Sequence, residues 1–115
     1  MQKIAFMGRL AADPQITRFG DDKSKVVFRV LENRGKNADG SNRVTGLNCV
    51  CWSHGRNEKV IMPGLASGCG VIVEGKIVDQ AYEKDGKKRF AKELVVEDLR
   101  ILDWASDRDE RQQAA

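Results

Sequence analysis

Asp85-Gly86 narrows more than any other pair what this chain can become. An Asp-Gly step fills the two central positions of a tight hairpin turn, because glycine takes positive φ at no steric cost and aspartate tolerates it. The runs on either side fit strands. Upstream, Val71, Val73, Gly75 and Ile77 fall on one face of residues 70–78; downstream, residues 90–96 carry Phe90, Lys92 and Leu94 on one face. Between them lies a basic loop with an aromatic at each shoulder, Tyr82 and Phe90.

The same period-two reading extends along the chain. Residues 2–10 form a first strand with Ile4, Phe6 and Leu10 on one face, ended by Ala12-Asp13-Pro14. Residues 25–33 form a second, with Val26, Phe28 and Val30 inward and Lys25, Val27 and Arg29 outward. A polar loop over 33–43 follows, predicted to project as a mobile arm. The third strand covers about 46–54, and one short helix fits 57–62, stopped at Pro63-Gly64 because proline cannot continue the backbone bonding. The fourth strand is 70–78; the fifth is 90–96, bending into 99–102. Three strands, one helix and two strands give an all-β domain, a five-stranded Greek-key barrel with its helix between strands three and four: the OB-fold arrangement. The expected division is a barrel domain over 1–104 and a short polar tail over 105–115.

Several classes of function are set aside. No apolar run approaches the roughly 20 residues of a membrane span, and the N-terminus is too short and interrupted for a signal peptide, so a cytoplasmic location is expected. Three cysteines make a closed disulfide framework a poor fit. A metal site drawn from Cys49, Cys51, His54 and Cys69 lacks the paired C-x-x-C spacing of structural zinc, and small hydrophobes on a strand face are the better reading. His54, the one histidine, has no nucleophile frame beside it, and Gly64–Gly70 lacks the lysine and serine of a nucleotide cradle. No enzyme, metal or cofactor is expected.

The charge distribution is more telling than the net +3. The tail sums to −1, leaving +4 on residues 1–104. Lys84, Lys87, Lys88, Arg89 and Lys92 face only Glu83 and Asp85 around the turn, and the polar loop carries Arg34, Lys36 and Arg43 against Asp39. Cations for phosphates beside flat rings for bases suit a single nucleic-acid strand. The candidate contacts are Tyr82, Phe90, Lys84, Lys87, Lys88, Arg89, Arg34, Lys36 and Arg43, with Arg18, Arg56 and Trp52 as extensions of the track.

These residues, in order and spacing, resemble the bacterial single-stranded DNA-binding protein family. The carriers are Lys3-Ile4 through Gly8-Arg9-Leu10, Asp13-Pro14, Arg18-Phe19, Gly68, Val73–Ile77, Tyr82–Gly86, Phe90 and Leu102-Asp103. The resemblance implies an OB-fold that binds single-stranded DNA with little sequence preference and assembles as a homotetramer, or as a dimer in a primosomal-type relative acting through replication proteins. It puts the family's stacking tryptophan at Tyr82 and a second aromatic at Phe90. It also implies a thinned platform: Arg34-Gly35 stand where the arm usually has a tryptophan, Leu47 where one commonly opens strand three, and Ser53 in place of a phenylalanine. The family's typical linker and acidic tip are not matched by Asp109-Glu110-Arg111-Gln112-Gln113-Ala114-Ala115, so partner recruitment through such a tip is not expected. Simple alternation from Leu47 places Cys49, Cys51 and Ser53 on the ligand face and turns Trp52 inward with Val50. Phe90 fits core or surface equally, and Trp104 is read as a cover for one end of the barrel or a subunit contact.

Overall fold

The computed structural model describes residues 3–102. Its strands are β1 (Ile4–Leu10), β2 (Gln15–Arg18), β3 (Ser24–Lys36), β4 (Asn42–Cys51), β5 (Gly70–Lys84) and β6 (Lys87–Ile101). They lie in the order β1-β5-β6-β4-β3-β2. β1 also pairs with β3 through Arg9↔Leu31 and Leu10↔Val30, so the five long strands close into a barrel. This is the five-stranded Greek-key OB barrel, with β2 as a short extra strand along the first half of β3. Every pairing is antiparallel except β4–β6, which is parallel through Asn48↔Glu93, Cys49↔Leu94 and Val50↔Val95.

The interior follows from alternation. Val26, Phe28 and Val30 on β3, Cys49 and Cys51 on β4, Val71 and Val73 on β5, and Leu94 on β6 converge on one buried cluster with Leu10, Ile61, Leu65 and Cys69. Two glycines let the sheet bend shut. A Cβ at Gly8 would strike the Leu31 carbonyl at the β1–β3 seam, and one at Gly75 would strike the Val95 carbonyl where β5 and β6 shift register after Glu74.

The helix is longer than the predicted 57–62. Helical backbone runs over 54–64, as α turns His54–Arg56 and Met62–Gly64 around a π-helical centre, Asn57–Ile61. The i→i+5 bond from Met62 N–H to the Asn57 carbonyl lies just ahead of Pro63, which lacks the N–H an α ladder would use. The segment caps one end of the barrel through buried Ile61 and Leu65. Asn57 is buried and its Nδ2 donates to Ser24 O, Ser24 Oγ and Cys51 O at 3.1–3.2 Å, stitching the helix to the start of β3 and the end of β4.

Two sequence readings are corrected here. The 33–43 polar loop is mostly strand: β3 and β4 continue into it, and only a turn closed by Asn37 N–H to Ser41 O (2.8 Å) is left. The basic loop after Ile77 is likewise strand, paired to the last rung Lys84↔Lys87 around an Asp85-Gly86 turn with φ of 56° and 74°. Both positive angles match the type I′ turn that Asp-Gly favours. Since β4 and β6 run parallel, the β3–β4 arm and the β5–β6 hairpin leave the barrel at the same end, opposite the helix.

Candidate nucleic-acid interface

The register fixes which side chains share the barrel's outer face, because directly paired residues point the same way. One rung is Val27–Val50–Val95–Lys76, and the next is Arg29–Asn48–Glu93–Val78. Continuing along β5 and β6, the outward residues are Gln80 and Ala91, then Tyr82 and Arg89, then Lys84 and Lys87. In the other direction, beyond Val50, the outer face carries Trp52 beside Lys25.

Trp52 therefore corrects the inward reading. It is 53% exposed, its ring stacked on Phe19 at 6.4 Å between centroids and 20° between planes, with Lys25 Nζ 5.5 Å from the ring. Cys49 and Cys51 take the inward positions instead, and Leu47 points inward with them. The outward positions of β4 are thus Gly46, Asn48, Val50 and the following Trp52, one residue out of step with a ligand face at Leu47 and Ser53. Burial pushes the Cys49 and Cys51 thiols up to about 12, which keeps both protonated at neutral pH. Among the described residues no three His, Cys, Asp or Glu side chains come together as a metal site.

Tyr82 and Phe90 are both exposed, at 45% and 66%, so Phe90 is not core. They do not share a face. Tyr82 pairs with Arg89 and Phe90 with Ala81, so alternation sets Tyr82 on the outer face with Trp52, and Phe90 on the reverse of the hairpin with Glu83, Lys88 and Lys92.

The cations divide into three groups. Lys84, Lys87, Lys88 and Arg89 on the hairpin, and Lys36 and Arg43 on the arm, are exposed and make no ion pair among the described residues. Arg34 lies 3.7 Å from Glu32 and Lys92 lies 3.2 Å from Asp79, both loose surface pairs. Arg18 and Arg56 sit at the helix end of the barrel and are engaged. Arg18 forms a bidentate pair with Glu58 at 2.8 and 3.0 Å, which draws the Glu58 carboxyl below its usual range. Arg56 donates to Leu99 O at 3.0 Å, Glu97 O at 3.4 Å and Asp98 Oδ1 at 3.3 Å, pinning the helix to β6. The barrel thus presents one row of flat groups on its outer face, with unpaired cations on two arms at one end.

The chain matches the Single-strand binding protein family over residues 1–102. It belongs to that family. Among curated relatives it is 29% identical over 111 residues to single-stranded DNA-binding protein 2 of Streptococcus agalactiae serotype III, covering 96% of this chain and 83% of the relative. It is 31% identical over 105 residues to the single-stranded DNA-binding protein of Malacoplasma penetrans, covering 89% of this chain and 52% of the relative. Among solved structures it superposes on the Plasmodium falciparum SSB complex with ssDNA with a TM-score of 0.77 at 18% identity, covering 90% of this chain and 96% of the other, which establishes the common OB fold.

Within this single-strand binding family the chain's departure is clearer on the structure than on the sequence. Trp52 and Tyr82 remain on the outer face, and Gly46 leaves a gap between them. Sequence reasoning passed over Phe19 as part of the site, although Arg18-Phe19 was among the family's carriers. The signal was a phenylalanine at the end of a polar four-residue strand with no alternating partner to bury it. Trp104 and the 105–115 tail lie outside the described residues.

Proposed function

We propose that the protein binds single-stranded DNA without base-sequence readout. The strand lies along the outer face of β3, β4 and the β5–β6 hairpin. The observation that carries this is the row itself: Trp52 with Lys25, then Arg29, then Tyr82 with Arg89, flanked by cations of two arms that leave the barrel at one end. Aromatic faces stack any base, and Lys84, Lys87, Lys88, Arg89, Lys36 and Arg43 neutralise phosphates and release counterions. Phe90 and Arg34 extend the contact to the reverse of the hairpin and the root of the arm. Arg18 and Arg56, engaged with Glu58 and β6, contribute through the folded shape of the barrel more than through free charge.

The role consistent with such binding is protection and organisation of exposed strands in replication, recombination and repair, in the cytoplasm at the nucleoid. It fits a chain that self-associates. Met7, Val44 and Leu102 are exposed apolar side chains around a groove of about 530 Å³ at the β1–β3 seam, suited to contact between copies. Solution mass with and without oligonucleotide reads that assembly.

The test of binding is anisotropy titration of labelled oligothymidine at two salt concentrations. Engagement of about five phosphates gives a slope near −3.5 in log K against log salt, so affinity falls about a hundredfold between about 50 and 200 mM salt. Oligoadenosine should follow the same slope. Micromolar protein that leaves oligothymidine unbound at low salt refutes the function.

A further inference from the structure

Gly46 is the outer-face position of β4 that the Arg29 side chain overlies. A Cβ built on Gly46 would meet three atoms of a single guanidinium, Nη2, Cζ and Nε. An arginine pointing past the glycine would bring one terminal nitrogen close. Contact with Nε, Cζ and Nη2 together means that a whole flank of the guanidinium, and not its tip alone, lies against the glycine. Asn48 holds it there: Arg29 Nη1 donates to Asn48 Oδ1 at 2.8 Å, and the two residues are directly opposed in the β3–β4 register. Arg29 makes no ion pair among the described residues and is exposed, so the anchored group is within reach of a ligand. The group is packed along one flank against Gly46 and anchored through Nη1 to Asn48.

Its position matters as much. Trp52, the residue that follows β4, lies six residues along the chain from Gly46, about 20 Å at 3.3 Å per residue, and the Tyr82–Arg89 pair lies toward the opposite end of the same face. A hollow of about 350 Å³ adjoins Arg29, lined by Gln15, Asn48 and Glu93 among others, so a base resting on the plane would have polar partners at its edge.

We propose that the Arg29 guanidinium is a base-stacking shelf, filling with a flat cation the gap left on β4 between Trp52 and Tyr82. This rests on the DNA-binding reading above. A guanidinium is planar, delocalised and weakly hydrated, so a base stacks on it as on a ring. Lysine keeps the charge but has no plane, which separates a shelf from a phosphate contact.

The experiment compares native protein, Arg29→Lys and Arg29→Ala on oligothymidine and on an abasic oligodeoxynucleotide of equal length, at low salt. The shelf requires both variants to lose about tenfold on oligothymidine. On the abasic strand Arg29→Lys should match native protein, because there is no base to stack. Native affinity of Arg29→Lys for oligothymidine overturns the shelf in favour of charge alone. An equal loss on both strands overturns it in favour of a backbone or folding effect. Native protein that binds neither strand overturns the DNA-binding reading itself, so the two failures are distinct.

Discussion

Trp52→Ala separates what the outer face does for binding from what it does for the fold. Trp52 is about half exposed and fills no core space, so its structural contribution comes from two surface contacts. The stacked pair with Phe19 contributes about 0.5–1.5 kcal/mol and Lys25 over the ring about 0.5–1 kcal/mol. Together they amount to about 1–2.5 kcal/mol, a fall in Tm of about 4–10 °C for a domain of this size. That leaves the variant folded at 25 °C. Loss of one stacked base costs a further 1–3 kcal/mol in binding, roughly a 5- to 150-fold rise in Kd for oligothymidine. Trp52→Phe, which keeps a smaller ring, should retain most of the affinity. The chain has 2 tryptophans, so Trp104→Phe leaves Trp52 as a single intrinsic reporter, and its fluorescence should be quenched as oligothymidine binds. If Trp52→Ala lowers Tm as stated yet binds with native Kd, the outer face of β4 is not the DNA track.

Tyr82 and Phe90 stand on opposite faces of the hairpin, so a double-alanine cycle read by anisotropy should show effects that add within about 0.5 kcal/mol. A larger coupling would mean that one base touches both rings. The buried thiols make stability depend on alkali. Their folded pKa of about 12 lies above the ordinary 9.0, so native protein holds those protons more tightly than the unfolded chain. The contribution is whole below about pH 9 and is lost as pH rises toward 12, by up to about 1.4 kcal/mol per pH unit for each thiol. Urea midpoints of native protein and of Cys49→Ala/Cys51→Ala should therefore diverge in slope only above about pH 9. Gly75→Ala forces a Cβ onto the Val95 carbonyl at the β5–β6 register shift, where backbone rather than a flexible side chain must move. It should cost at least about 3 kcal/mol in urea unfolding, and a near-native midpoint would show that the bulge relaxes freely.

The parts of the fold readable from sequence were those with one buried face. Val26, Phe28 and Val30, and Val71, Val73 and Ile77, alternate because the neighbouring positions meet solvent or an outer rung. Asp85-Gly86 was legible for a different reason, since its two positive φ angles are a local requirement. Arms that run past the barrel bury almost nothing, so 33–36, 42–44 and 79–89 carry no alternation and read as loops. β4 misleads in the opposite way. Val50 is buried on the outer side between Val27 and Val95, so Cys49, Val50, Cys51 and Trp52 form a continuous apolar run without a visible phase. That missing phase sent Trp52 inward on paper. Cation-rich segments were visible from composition alone. That Arg18 and Arg56 hold the helix in place depends on contacts 40 or more residues away in the chain, which no local pattern announces.

The parallel β4–β6 seam has a consequence for how the molecule comes into being. β3 and β4 can zip together early in synthesis, as can β1 with the middle of β3 at the Gly8 seam. Cys49 and Val50, however, wait for Leu94 and Val95, some 45 residues downstream, before their last flank is covered. Until the final strand clears the ribosome, the nascent chain is an open trough with its greasy side unroofed, so the β3–β4 half of the surface that would hold a polynucleotide exists before the body that keeps it in shape.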